Sequence, residues 1–178
     1  MVMPQRQKEL VIGRAMTGDL TVHDQIGCEL VADALRAGAE TRVRVMGTSM
    51  LPALWPGDVL VIRGRTAPPS PHDIVLFLRY GRLFAHRVVR TTESELVTRG
   101  DALTDRDPPL RASEVLGVVV GIIRDGPRLI PVRAPSAAQR MAALAIRRSE
   151  AVYRLVLKWH NARVRLGQRH HRRPWQVE

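Results

Sequence analysis

Short apolar runs separated by turn signals constrain the fold of this 178-residue chain more than any other feature. Each run is rich in Val, Ile, Leu or Phe, which favour strands, and turn signals such as Pro56-Gly57 and Asp125-Gly126 lie between the runs. The runs cover residues 41–46, 58–62, 73–78, 82–89, 95–98, 115–123 and 128–132. Because consecutive strands joined by short connections pair antiparallel, the sequence predicts a mainly β, antiparallel domain over residues 41–133.

Helical periodicity flanks this β region on both sides. Residues 1–20 show no sustained period and are predicted to be an irregular arm, which together with the following helix makes up residues 1–40. The helix is predicted from apolar residues at helical spacing, which are Ile26, Leu30, Val31, Ala34 and Leu35. Gly38 is placed to end it. Residues 134–178 are predicted to form a basic amphipathic helical tail, with helices at 137–148 and through 152–159.

The net charge of +11 is concentrated in this tail. Residues 136–178 hold ten Lys and Arg against two Glu, so they carry +8 and the rest of the chain only +3. The apolar face formed by Leu155, Val156 and Trp159 can lie on an anionic membrane surface, or it can pack on the β domain or on a partner. Nucleic-acid binding is disfavoured, because the tail offers few aromatic rings for base stacking.

The sequence predicts neither a signal peptide nor a membrane-spanning helix. The first 20 residues mix charged and apolar side chains, unlike a signal peptide. The most apolar stretch, residues 115–123, is far shorter than the roughly 20 residues that cross a bilayer. We therefore expect a cytoplasmic protein, or one held peripherally on a membrane by its tail. The single cysteine, Cys28, cannot form an internal disulfide and is predicted to be a small buried side chain.

A serine suited to acyl transfer lies in residues 44–60, RVMGTSMLPALWPGDVL. The strand breaks at Gly47, presents Ser49 on a turn, and resumes at Asp58. A serine on a tight turn can expose its hydroxyl together with backbone N–H groups, which provide a nucleophile and an oxyanion site.

Two later segments supply a base and a carboxylate for such a serine. The strand RLFAHRVVR carries His86, and the loop VTRGDALTDRDPP carries Asp101, Asp105 and Asp107. Imidazole can accept a proton near neutral pH, and any of the three carboxylates could orient it.

Five segments in this order resemble the boxes of the signal peptidases and of the LexA-type self-cleaving repressors. They are GTSMLPALWPGDVLVI, HDIVLF, FAHRVV, TRGDALTDRD and VLGVVVGIIR, within about residues 42–124. Bacterial signal peptidases and the repressors carry lysine in the base strand, whereas the archaeal and endoplasmic-reticulum subtype carries His-Arg-Val, which stands here at His86, Arg87 and Val88. The resemblance thus implies a LexA/signal-peptidase-like β fold and a serine endopeptidase of the Ser–His type, which acts on a peptide or protein substrate.

The same resemblance assigns roles to individual residues. It implies Ser49 as nucleophile, His86 as base and Asp107 as the supporting acid, since Asp107 lies six residues after Asp101 as in that subtype. Asp101 is expected to brace the loop, and Asp105 is the other alternative. The Ser49 amide, aided by Thr48, would hold the oxyanion. Substrate would contact Met50 and Pro52. No metal or other cofactor is implied.

The chain departs from the family pattern at three points. Gly47 stands where signal peptidases usually have a serine, as in the repressors, and His72 replaces the expected glycine before Asp73. The membrane anchor of most signal peptidases is not seen. The sequence names neither the substrate nor the oligomeric state of this chain.

Two other functions are compatible with the sequence. A self-cleaving regulator would use Ala37-Gly38, a dipeptide of the type that LexA-like proteins cut, although these residues also suit a helix C-terminus. A non-catalytic binding module of the same fold would use the basic tail. A metal site at His170-His171 is disfavoured, because cationic neighbours oppose a divalent ion.

Overall fold

The computed structural model describes residues 10–12, 22–65 and 67–171, with side chains between 26 and 165. Within this part of the chain, nine strands form one mainly antiparallel sheet, and one helix precedes the main series of strands while two follow it. The predicted fold class is therefore confirmed.

The elements are named here in chain order. The helices are α1 (Val22–Arg36), α2 (Ala137–Arg148) and α3 (Glu150–His171), with a 3-10 turn at Ala112–Glu114. The strands are β1 (Leu10–Ile12), β2 (Glu40–Val45), β3 (Val59–Gly64), β4 (Ile74–Arg79), β5 (Arg82–Thr91), β6 (Glu95–Arg99), β7 (Leu110–Arg111), β8 (Val115–Ile123) and β9 (Leu129–Pro131).

Every predicted apolar run is a strand, with ends shifted by at most two residues. Two short strands were not predicted. Strand β1 lies inside the arm that was predicted to be irregular, and it pairs in parallel with β2. Strand β7 pairs with β6 over two residues. Both are too short to show a periodicity of their own, and they are strands only because a neighbour supplies hydrogen-bond partners.

The sheet is built around β8. The strand order is β1-β2-β3-β8-β4-β5-β6-β7, so β3 lies along one edge of β8. The other edge is shared by β4, which pairs with the start of β8, and β9, which pairs with its end. Side chains of β8 are buried on both faces of the sheet, which is why the run VLGVVVGII is continuous rather than alternating.

Apolar side chains are buried on both faces of the sheet. Helix α1 covers one face with Val31, Ala32 and Leu35, and Cys28 is buried there as predicted. Strand β4 contributes to both faces because successive side chains alternate: Ile74 and Leu76 join the α1 side, while the opposite side contains Val75 and Phe77.

The C-terminal helices pack on the sheet domain. Ser136 and Gln139 cap the start of α2 reciprocally, and Ala143 and Ile146 are buried beneath it. Of the alternatives for the tail, packing on the β domain is thus observed for α2 and the first part of α3. Leu155 on α3 remains 66% exposed. No helix in the described part of the chain is long and apolar enough to cross a membrane.

The loop before β4 retains a glycine-like conformation at a non-glycine residue. His72, at the position where the resemblance implies a glycine, has φ of 79°. Its backbone N–H donates to the Val88 carbonyl at 3.0 Å, and its carbonyl accepts from Arg87 at 2.8 Å. These contacts hold the loop in the left-handed region, which a non-glycine residue adopts at a cost of about 1–2 kcal/mol.

Candidate active site

The bending of the sheet and the loop after β2 bring Ser49 to His86. Three strands, β3, β8 and β4, lie between β2 and β5. In a flat sheet with strands about 4.8 Å apart, β2 and β5 would be roughly 19 Å apart. Ser49 follows β2 and His86 lies in β5, yet Ser49 Oγ is 3.1 Å from His86 Nε2. Bending of the sheet and the course of residues 46–58 together close this gap.

The loop of residues 46–58, called the serine loop below, is fixed by backbone and ionic contacts. A turn around Ser49 is closed by a hydrogen bond from Leu51 N–H to the Thr48 carbonyl at 3.2 Å. At the end of the loop, Asp58 is only 3% exposed and forms a two-pronged ion pair with Arg124, with N···O distances of 2.8 and 2.6 Å. The hydrogen bonds that Arg124 donates to Asp58 raise the pKa of the Arg124 guanidinium above its usual value.

Ser49, His86 and Asp107 form a continuous series of hydrogen bonds. His86 Nδ1 is 2.7 Å from Asp107 Oδ2, while His86 Nε2 faces Ser49 Oγ. With Nδ1 protonated and donating to the carboxylate, Nε2 is free to accept the serine proton. The His86 ring is 3% exposed and lies edge-on to Phe77 and Phe84, which restricts its orientation.

The Asp107 carboxylate is held in its charged form. Burial raises its pKa, but the hydrogen bond and charge of His86, followed by the Thr98 hydroxyl and the charge of Arg79, outweigh burial and hold the pKa below the usual value of 3.8. Thr98 Oγ1 donates to Asp107 Oδ2 at 2.7 Å, and Asp107 N–H donates to the Thr98 carbonyl at 2.9 Å. Asp107 therefore presents a fixed anion to the imidazole.

The other two aspartates of the loop lie elsewhere. Asp101 pairs with Arg87, whose Nε and terminal nitrogen donate to it at 2.9 and 2.7 Å. Asp105 is exposed. Neither carboxylate is bonded to His86, and the Asp101 carboxylate instead links its loop to Arg87 of β5.

The backbone N–H of Ser49 is available to a ligand. Among the described residues, no protein atom accepts a hydrogen bond from the Ser49 N–H. The Thr48 hydroxyl is instead 2.9 Å from the Tyr153 hydroxyl of α3. Thr48, predicted to aid the oxyanion, is thus hydrogen-bonded to the tail, and the Ser49 amide is the free donor.

Met50 was predicted to contact substrate, but its side chain lies in the protein core. It is 3% exposed and packs with the apolar side chains under α1. Its Sδ accepts a hydrogen bond from Asp101 N–H at 3.4 Å. This contact ties the serine loop to residues 100–109 between β6 and β7, called the acidic loop below. Met50 offers no open surface to a substrate in this conformation, because an unbranched thioether next to the core is more stable when buried. Pro52 is half-buried.

Helix α3 borders the serine loop at a second point beyond Tyr153. His160 stacks on Trp55 with ring centroids 5.0 Å apart, and its Nε2 is 3.2 Å from the Pro56 carbonyl. Trp159 contacts Trp55 edge-on at 5.8 Å. The basic tail is thus part of the surroundings of the site.

The sequence analysis missed three residues that support the site, which are Thr98, Arg79 and Tyr153. Thr98 pairs with Val88 in the β5–β6 register and so shares a face with His86, a signal that required the register to be known. Arg79 holds the acidic loop by donating to the Pro108 carbonyl at 3.3 Å. Tyr153 lies 105 positions from Thr48, and no motif connects them.

Within the described residues, no group of His, Cys, Asp or Glu is arranged to hold a metal ion. The side chains of His170 and His171 lie outside the described set. Comparison of the sequence with models of known protein families finds no match, and comparison with curated proteins finds none either.

Proposed function

We propose that this chain is a serine endopeptidase of the signal-peptidase and LexA-like class. In this proposal Ser49 is the nucleophile, His86 is the general base, and Asp107 orients and balances the charge of the imidazole.

One observation carries the proposal. Residues separated by 37 and 21 positions in the sequence join in a single series of hydrogen bonds, Ser49 Oγ to His86 to Asp107. Its central member, His86, is buried, while Ser49 and Asp107 at its two ends are half-buried. A structural serine–histidine contact would not need a serine that is only half-buried, a histidine with its other nitrogen held by a carboxylate, and a free amide beside the hydroxyl.

The geometry supports a two-step hydrolysis. Ser49 Oγ attacks the carbonyl carbon of a peptide bond while His86 Nε2 takes its proton, and the Ser49 N–H donates to the developing oxyanion. His86 then gives this proton to the leaving amine as the C–N bond breaks. Water, deprotonated by the same nitrogen, cleaves the acyl-serine ester and regenerates the hydroxyl. Asp107 remains ionised throughout.

By the resemblance, the substrate is an extended peptide or protein segment with a small residue before the cut bond. An extended segment can be bound by main-chain hydrogen bonds with little demand on sequence. Because Met50 is buried, half-buried Pro52 is the better candidate of the two residues for substrate contact.

Self-cleavage at Ala37-Gly38 has less support from the geometry. Gly38 has φ of 82°, and its N–H donates to the Leu35 carbonyl at the end of α1, so the dipeptide terminates a helix. It precedes β2 while Ser49 follows it, and a six-residue strand is about 20 Å long. A substrate supplied by another chain needs no such rearrangement.

The proposal is tested by reaction with a fluorophosphonate, which phosphonylates activated serines with loss of fluoride. We expect one adduct, on Ser49, located by peptide mass spectrometry. Exposed Ser94 and Ser113 serve as internal controls and should stay unmodified. The adduct should be absent in Ser49→Ala and form far more slowly in His86→Ala. A folded wild-type protein that forms no adduct on Ser49 would contradict the proposal.

A further inference from the structure

A cleft of about 160 Å³ lies between strands β5 and β6 and helix α2, away from the Ser49–His86–Asp107 series. Its charged wall consists of four arginines and one aspartate, namely Arg87, Arg99, Arg140, Arg147 and Asp101. Arg87 follows His86 in β5, so the two side chains point to opposite faces of the sheet. The cleft and the serine site are therefore separated by the strand itself.

In the described part of the chain, one carboxylate stands against the four arginines of this arginine cleft. Asp101 is fully engaged by Arg87, which also donates to the His72 carbonyl at 2.8 Å. Within the described chain, the side chains of Arg99 and Arg140 form no hydrogen bond or ion pair. Arg99, Arg140 and Arg147 therefore share a cleft in which, among the described residues, the one carboxylate, Asp101, is already paired with Arg87.

Arg147 shows the effect of this crowding. Its Nε donates to the Asp101 carbonyl at 2.7 Å, which leaves its two terminal nitrogens for the cleft. Burial lowers its pKa, and the charge of Arg99 lowers it further, while Asp101 opposes both effects. An anion placed between these groups would remove the repulsion between Arg99 and Arg147 and join α2 to the sheet.

We propose that the arginine cleft binds a phosphate-type oxyanion through Arg99, Arg140 and Arg147. Guanidinium forks donate two parallel hydrogen bonds and match the oxygens of phosphate. The volume equals about five water molecules at liquid density, which is enough for a five-atom oxyanion. The anion is either free phosphate or the phosphate of a lipid headgroup. The proposal is independent of peptidase activity, because it does not involve Ser49 or His86.

The test is calorimetric titration of the full chain with inorganic phosphate at constant ionic strength. The double variant Arg99→Gln with Arg140→Gln is called the cleft pair. The matched control pair is Arg65→Gln with Arg128→Gln. Both control arginines are exposed and lie outside the cleft, and their replacement removes the same charge. We expect saturable 1:1 binding that weakens about tenfold or more in the cleft pair and is unchanged in the control pair. Circular dichroism checks that both pairs fold.

A second arm separates the two sources of the anion. Binding to phosphatidylcholine vesicles with and without phosphatidic acid is measured by co-sedimentation for the same variants. The anion would be a lipid headgroup if the cleft pair, but not the control pair, lost vesicle binding while the wild type bound no free phosphate. Equal binding by both pairs in both arms, or no saturable binding in either, would overturn the proposal.

Discussion

The Tyr153 hydroxyl of helix α3 lies 2.9 Å from the hydroxyl of Thr48, the residue directly before Ser49. The C-terminal tail therefore holds the serine loop from outside the sheet domain. Trp55 packs against Trp159 and His160 on the same helix, so the contact is not isolated. A segment that the sequence marks only by its charge and helical periodicity thus supports the proposed nucleophile.

Replacing Tyr153 by Phe should slow reaction at Ser49 with little effect on folding. The change removes one hydrogen bond, which contributes about 1 kcal/mol to stability. Because Thr48 then loses its partner, we expect the maximal rate of fluorophosphonate labelling to fall by roughly 3- to 10-fold with unchanged reagent affinity. The control is Tyr80→Phe, since Tyr80 is 86% exposed. Equal rates in the two variants would show that Tyr153 does not position the loop.

Replacing Asp107 by Asn should abolish most of the reactivity while the chain remains folded. Asn presents an amide to Nδ1 and favours the tautomer that cannot accept the serine proton, which lowers turnover by roughly 10³- to 10⁴-fold in comparable triads. Asp105→Asn is the matched control, because Asp105 is exposed in the same loop. The readout is again the labelling rate of Ser49. If Asp105→Asn were the slower variant, the assignment of the acid would be wrong.

The three residues of this series were predicted because each lies in a motif with fixed spacing. Asp107 was chosen over Asp101 and Asp105 by counting positions, and the structure brings Asp107, not the others, to His86. The distances could not be predicted, since they depend on how strongly the sheet bends.

The position of the tail could not be predicted for a different reason. An amphipathic helix has the same periodicity whether its apolar face packs on a sheet or on a lipid surface. The burial of Met50 was not predicted, because the motif fixes its place in the sequence but not the direction of its side chain. Strand β1 was missed because three residues carry no period.

Acid should destabilise the wild type more than Asp107→Asn. The pKa of Asp107 is lower in the folded protein than its usual value of 3.8, so the folded state binds this proton more weakly than the unfolded state. The ionised carboxylate thus stabilises the fold above the usual pKa, and this contribution is lost as the pH falls through the folded pKa. Urea unfolding between about pH 5 and 3 should show a larger loss for the wild type.

The control for this pH series is His86→Ala, which keeps Asp107 but removes the hydrogen bond and charge that lower its pKa. Its acid-dependent loss should be smaller than that of the wild type. Parallel curves for the wild type and Asp107→Asn would mean that the carboxylate makes no pH-dependent contribution.

Replacing Asp58 by Asn should destabilise the chain strongly. Asp58 and Arg124 have side chains that are 2% and 28% exposed, and removal of one partner leaves the other charge without compensation. Breaking a buried pair costs about 3–5 kcal/mol, and partial exposure of Arg124 places this pair at the lower end. The exposed pair of Asp125 and Arg163 provides the control: Asp125→Asn should change the free energy of unfolding by less than about 1 kcal/mol. Similar losses in both variants would contradict this interpretation of the buried pair.

Replacing Gly100 by Ala should impair Ser49 specifically, because the backbone of Gly100 packs on the serine loop. A Cβ at Gly100 would lie 2.6 Å from the Ser49 carbonyl oxygen, which now accepts from Ala102 N–H at 2.8 Å. The matched control is Gly117→Ala in β8, where the added Cβ would lie 2.5 Å from the Arg63 carbonyl oxygen, away from the serine. Both changes force backbone apart and should destabilise the chain by roughly 1–3 kcal/mol. Only Gly100→Ala, however, displaces the residue that carries the hydroxyl, so its labelling rate per folded molecule should fall about tenfold or more. Equal rates per folded molecule in the two variants would show that the contact with Gly100 does not set the position of Ser49.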